Sequence, residues 1–260
     1  MLVNDSDIKT REVTEWQGLH LLHFNQSSCS QKVRILMSEL GIEFKPHHIN
    51  LMKDEQKTDW YLGINARGQV PVLVHDGKVH IESNDIIEYL DQNFATPEAS
   101  FLPTTDEERQ QMHKLMDLED ELHADLRTVT FTYIAPDIHN HTSGTDGDLA
   151  FIGRFKAALD TLDNLLKDQP FLLGERMTLA DISWFITLHR LHLAGYPFEE
   201  HQFLDGYYQK LAARKVFQQE LAAGPIGLRI AGTVFRKIKS LKRSLAKDYV
   251  RWQQEAALPS

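Results

Sequence analysis

Ser27-Ser28-Cys29-Ser30 places three hydroxyls and the only cysteine of the chain just ahead of a helical run. Each serine is an acceptable N-cap, its oxygen receiving a hydrogen bond from a free amide of the first turn. A thiol at a helix N-terminus is more acidic than a free one, and the same free amides stabilise an anionic ligand group. Two further features downstream carry chemistry beyond packing. Val70-Pro71 opens an otherwise good strand, where proline removes a ladder donor and marks an edge or entry position. A cis bond there, the isomer that X-Pro admits, leaves the Val70 N–H and C=O for a peptide-like ligand. Glu82-Ser83 precedes a second helix, where Ser83 serves as a cap and the first-turn amides suit a carboxylate.

Local elements must hold these three points together. Leu19 to Phe24 (LHLLHF) has the bulky apolar character of a buried strand, broken by Asn25 to Ser28. From Cys29 the period changes, with Val33, Leu36, Met37 and Leu40 on one helical face and Lys32, Arg34 and Glu39 elsewhere, until Gly41. A second strand is expected at 44–49 and a short helical piece near Trp60. Strands at 69–74 and 78–81 are joined by a turn containing Asp76-Gly77, and a helix follows over 84–94. Pro97 to Thr105 reads as a boundary. Beyond it helices are expected at about 106–135, 149–168 and 179–194, with shorter ones over 202–222. Residues 1–17 read as a loose polar leader, and His139 to Gly144 as a loop.

The chain has 260 residues, 42% hydrophobic and 25% charged, with a formal net charge of -9. An acidic balance argues against a general nucleic-acid partner, whose phosphates demand a concentrated basic surface. One cysteine excludes an intramolecular disulfide and multi-cysteine metal sites. His139 and His141 form a pair with no third ligand at a recognisable spacing, so no metal site is expected. No stretch has the roughly 18 continuous apolar residues of a membrane span, no signal peptide is recognisable, and the cytoplasm is the expected compartment. After Gly224-Pro225, basic residues from Arg229 to Lys247 alternate with Ile230, Val234, Phe235, Ile238, Leu241 and Leu245. This amphipathic pattern reads first as a helix packed on the body, with a membrane surface as the other reading.

INARGQVPVL at 64–73, ESNDIIEYL at 82–90 and LLGERMTLADISW at 172–184, taken with the opening serines, resemble the glutathione transferase superfamily from about residue 19 to 222. The resemblance implies an α/β thioredoxin-like N-terminal domain over 18–95 and an all-α domain over 105–260 with a basic C-terminal extension. It implies glutathione as cosubstrate: cis Pro71 and the Val70 backbone at its cysteinyl part, Glu82 and Ser83 at the γ-glutamyl end, and Gln69 with Gln56 or Lys57 at the glycyl end. Thr178 and Asp181 match the family's helix-capping box.

The opening segment resembles the zeta-class serine-serine-cysteine motif. Its catalytic hydroxyl falls on Ser27, with Ser28 its neighbour and Cys29 the motif's cysteine. No histidine–acid pair stands near it in the sequence, so Ser27 is expected to stabilise a glutathione thiolate rather than to attack. Cys29 reads either as a small buried hydrophobe or as a participant in mixed-disulfide chemistry, as in reductive dehalogenases. Residues 58–83 also resemble bacterial glutathione-dependent β-etherases, which implies attack on a hydrophobic aromatic ether. Zeta-like isomerisation and Cys29-dependent reductive dehalogenation are the alternatives. Gln26, where the zeta motif has arginine, tilts the reading away from a small diacid. Expected walls of the electrophile pocket are Leu122 to Tyr133, His139 and His141, Trp184 and Phe235. A homodimer, or a heterodimer with a related chain, is a further implication.

Overall fold

The computed structural model describes residues 1–134, 147–194, 196 and 198–222, with side chains at 127–134, 147–152 and 199 outside that description. His139, His141 and the amphipathic stretch containing Arg229, Phe235 and Lys247 therefore lie outside the described residues, as do the side chains of Phe131 and Tyr133.

A four-stranded mixed sheet forms first. Strands β1 (Leu19–His23), β2 (Lys45–His48), β3 (Val72–His75) and β4 (Lys78–His80) lie in the order β2-β1-β3-β4. β1 is parallel to β2, with His20 opposite Lys45, and antiparallel to β3, with Leu21 opposite Leu73. The parallel pair is connected through α1 (Ser28–Glu39), the crossover such a pair requires. β3 and β4 meet at Asp76 and Gly77, both with positive φ, as a two-residue hairpin turn demands. A Cβ on Gly77 would come within 2.1 Å of the Thr14 carbonyl oxygen, so the backbone approach also needs glycine. The short α2 (Asp59–Leu62) and α3 (Ser83–Phe94) complete this unit.

The loose leader expected over 1–17 is corrected by the structure. Leu2 bridges to His80, the Met1 ammonium donates to the Ile81 carbonyl at 2.8 Å, and Ile8 and Val13 are buried against Leu22, Tyr61 and Val79. Two apolar residues spaced within a polar segment suffice to anchor it once a sheet face is available.

The second unit is helical: α4 (Asp106–Ile134), α5 (Gly147–Leu165), α6 (Leu179–Ala194), α7 (Leu204–Ala212) and α8 (Lys215–Ala222). α6 is buried along nearly its whole length, Trp184 included, and packs on α4. The capping box at its start has a modified form. Asp181 reaches back to the Thr178 N–H at 2.7 Å, but the Thr178 hydroxyl donates to the same carboxylate. The Asp181 carboxylate also accepts from the Leu172 N–H and the Tyr207 hydroxyl, 3.0 and 2.8 Å away, and so ties three segments together. No helix among the described residues is long and apolar enough to cross a membrane.

Off the apolar face of α1 two charged side chains are enclosed as well. Lys32 is fully buried and Arg34 is 6% exposed, because α1 lies between the sheet and the helical unit and has no solvent face at these positions. Lys32 pairs with Glu119 of α4, and Arg34 pairs with Glu220 of α8 at 2.7 Å.

Two outcomes follow for stability. Asp181→Ala leaves four donors short of an acceptor and is expected to cost about 3 kcal/mol in denaturant unfolding. His80 lies against the Tyr89 ring with centroids 3.9 Å apart, and its buried Nε2 has no partner among the described residues. Burial first, then the N-terminal ammonium, His75 and Lys78, hold its pKa down from 6.5 to about 4. The unfolded chain binds the extra proton in that interval, so stability is lost as pH falls from about 6.5 to about 4. The urea midpoint should be lower at pH 5 than at pH 7, and His80→Phe should narrow the difference.

Candidate active site

A cleft between the two units is lined by Ser27, Cys29, Gln56, Asn65, Arg67, Gly68, Gln69, Val70, Pro71, Glu82, Ser83, Asp120, His123 and Ala124, with a cavity of about 350 Å³. Of the residues expected at the site, Ser27, Cys29, Gln56, Gln69, Val70, Pro71, Glu82 and Ser83 share this cleft. Lys57 does not line it; its ammonium lies 2.9 Å from the Asp54 carboxylate. Trp184, expected on the wall, is instead in the core with its Nε1–H donating to the Leu115 carbonyl at 2.8 Å.

Each anchor has a local cause. Ser27 is the N-cap of α1, its hydroxyl oxygen accepting from the Ser30 N–H at 3.3 Å while the side chain also borders the cleft. The Val70–Pro71 bond is cis. Gln69 just before it is held by the Tyr61 hydroxyl and the Asn65 amide, which donate to its carbonyl at 2.7 and 2.9 Å. Among the described residues neither the N–H nor the C=O of Val70 has a hydrogen-bond partner. Glu82 holds φ +68°, a conformation that a side chain adopts only when its surroundings impose it. Its carboxylate pairs with Arg67, and Glu82, not Ser83 as expected, occupies the N-cap of α3, without a side-chain cap bond; buried Ser83 is the first residue of the helix. Gln56 Oε1 is buried without a partner among the described residues. The cleft thus offers unfilled acceptors, an unpaired strand-like peptide edge and two helix starts, which suits a peptide-like ligand carrying carboxylates.

The histidine–acid pair absent from the local sequence is supplied by α4, which corrects that expectation. His123 Nε2 lies 2.8 Å from Ser28 Oγ and 3.4 Å from Cys29 Sγ. On its other side Nδ1–H donates to Glu119 Oε1 at 2.9 Å. Glu119 is fully buried and accepts further from Lys32, from the Thr187 hydroxyl and from the Ser183 hydroxyl at 3.1 Å. Burial alone would protonate this carboxyl, but Lys32 and His123 outweigh burial and hold its pKa down to about 2. Burial also pushes the Cys29 thiol up, yet the His123 imidazolium beside it, its hydrogen bond and Lys32 bring the thiol below its ordinary value. His123 and Ala124 fall in the Leu122 to Tyr133 segment expected as a wall, though neither was singled out there, and Arg67, Asn65 and Asp120 were not expected at the site. The one signal for His123 was its place four residues after Glu119 on a helix, hence on one face.

Comparison with known proteins places this geometry in context. The family model for the glutathione S-transferase N-terminal domain matches residues 26–93, and that for the C-terminal domain matches residues 110–213. Glutathione S-transferase 1 of Dianthus caryophyllus is 30% identical over 65% of this chain and 75% of its own. Protein LigF of a Sphingobium species is 40% identical over 94 residues, 36% of this chain and 37% of its own. Human glutathione transferase theta-2, solved in complex with glutathione, superposes with a TM-score of 0.68 at 22% identity, covering 85% of this chain and 90% of that one.

Because Glu119 is a buried charge whose full partner is Lys32, Lys32→Met should destabilise the protein by about 3–5 kcal/mol, read from guanidinium unfolding. Replacing exposed Lys57 by Met should shift the same curve by less than about 0.5 kcal/mol.

Proposed function

This chain belongs to the glutathione transferase family and uses glutathione as its cosubstrate, and on that footing we propose that it cleaves β-aryl ethers of hydrophobic, lignin-derived aromatic compounds. The observation that carries the reading is the cleft that joins the α1 N-terminus to Val70, Glu82 and Ser83. The resemblance of residues 58–83 to β-etherases directs it toward an ether, and the 40% identity with LigF over 94 residues supports that direction.

The proposed binding follows the unfilled groups. Val70 N–H and C=O take the cysteinyl part of glutathione, Ser83 with the α3 amides and Glu82 take the γ-glutamyl end, and Gln56 and Gln69 approach the glycyl end. That register sets the thiol at the start of α1. A free thiol with a pKa of about 8.5 is mostly protonated at neutral pH. The Ser27 hydroxyl donating to sulfur, with the α1 N-terminus behind it, stabilises the thiolate. The thiolate attacks the carbon bearing the ether, the C–S bond forms as the C–O bond breaks, and a phenol is released. We assign the family's two-fold dimer to the same proposal, to be measured by sedimentation.

A second reading is favoured by the 3.4 Å approach of Cys29 to His123, which suits a thiolate able to exchange with a glutathione mixed disulfide. In that case the reaction is reductive dehalogenation and depends on Cys29 itself.

Incubation with glutathione and a panel of a β-aryl ether, a chlorinated hydroquinone and maleylacetone separates these readings by mass spectrometry. Ether cleavage should give a glutathione adduct with phenol release, Ser27→Ala should lower kcat/KM on the order of 10²-fold, and Cys29→Ser should keep most turnover. Adduct-free isomerisation, or turnover confined to the hydroquinone and abolished by Cys29→Ser, would sink it.

A further inference from the structure

We propose that His123 is the general acid of this cleft, donating its Nε2 proton to the aryl oxygen as it leaves. The inference rests on the ether-cleaving reading and names the residue that completes it. His123 stands on α4, opposite the anchors for glutathione, and lines the cleft beside Ser27, Cys29, Asp120 and Ala124. A leaving group displaced by a thiolate at the α1 N-terminus departs into the space this wall borders.

The geometry fixes which nitrogen faces the reaction. Nδ1–H is committed to Glu119 at 2.9 Å, which leaves Nε2 on the α1 side of the ring, 2.8 Å from Ser28 Oγ and 3.4 Å from the Sγ of Cys29, a residue of the cleft lining. Glu119 cannot easily take the proton itself, because Lys32 of α1 and the Ser183 and Thr187 hydroxyls of α6 hold its carboxylate ionised. The other charged groups near this pair are Asp120 on α4, which also lines the cleft, and Arg190 of α6, which interacts electrostatically with Cys29. Burial alone would favour a neutral imidazole. The Cys29 sulfur and the Glu119 carboxylate outweigh it and raise the His123 pKa to about 10, in the range of a phenol. An acid matched to its leaving group transfers a proton with little driving-force penalty.

The step balances. The glutathione thiolate forms the C–S bond, the C–O pair goes to the aryl oxygen, and that oxygen takes the Nε2 proton to leave as a phenol. His123 remains as neutral imidazole with Nδ1–H on Glu119. The proton released when the next glutathione thiol ionises recharges it.

Leaving-group dependence tests the assignment. The probes are 2-aryloxyacetophenones carrying 4-nitrophenol, phenol and 4-methoxyphenol, together with 1-chloro-2,4-dinitrobenzene, whose chloride departs without a proton. In His123→Gln, kcat/KM should fall on the order of 10²–10³-fold for the phenol and 4-methoxyphenol ethers. The 4-nitrophenol ether and the chloride should change by only a few fold, the latter also showing that the glutathione site is folded. Added imidazole should restore part of the lost rate in His123→Gly. An equal loss across all four probes, no loss at all, or absence of imidazole rescue would overturn the assignment while leaving ether cleavage standing. A wild-type protein that conjugates the chloride but cleaves no ether would overturn both.

Discussion

The buried pair between Lys32 and Glu119 is the constraint on which the rest of the molecule turns. Two charges removed from water must satisfy each other at close range, since either one alone would carry a desolvation penalty of several kcal/mol. Their contact ties α1 to α4, while α1 packs on the helical unit chiefly through α6 and α8. Arg34 with Glu220, and Arg214 with Glu39, repeat the device toward the end of the described chain. α1 is consequently cased in protein on the faces where an isolated helix of this sequence would meet water.

The same pair organises the chemistry. One Glu119 oxygen faces Lys32 and Ser183, and the other faces His123 and Thr187. Pinning that carboxylate pins the imidazole, and one turn of α4 brings its ring onto the first turn of α1. Opposite it, the sheet contributes what strands contribute well: a peptide edge at Val70 left unpaired among the described residues, and at Glu82 a strained backbone stabilised by Arg67. The sheet unit contributes the anchors proposed for the cosubstrate, while the helical wall contributes Asp120, His123 and Ala124. Division of labour between two units explains why the site lies where they meet and not within either.

Much of the candidate site was legible because its anchors are short-range features. Helix starts at Ser27 and Ser83 follow from serine before an apolar period, and Pro71 announces itself by residue type. The Asp76-Gly77 turn followed from the same local chemistry. Where reading along the chain misjudged a residue, the missing information was long-range. Lys32 and Arg34 were placed only off the apolar face, because a charged side chain carries no mark of a partner 87 or 186 positions away. Residues 1–17 looked unattached because the groups that hold them, Ile8 and Val13 in the core with the Met1 and Leu2 backbone contacts, meet a face assembled from distant segments.

What the amino-acid order determined by itself was the alternation of strand and helix, the Ser27 cap and the Pro71 strand entry, since each depends on backbone preference within a few neighbours. The family motifs extended this to the two-unit architecture and to glutathione. Which nucleophile-bearing turn meets which histidine was decided only in three dimensions. Ser28 and His123 are 95 positions apart, and their approach exists because burying the charge of Lys32 required Glu119, whose helix carries His123 one turn on.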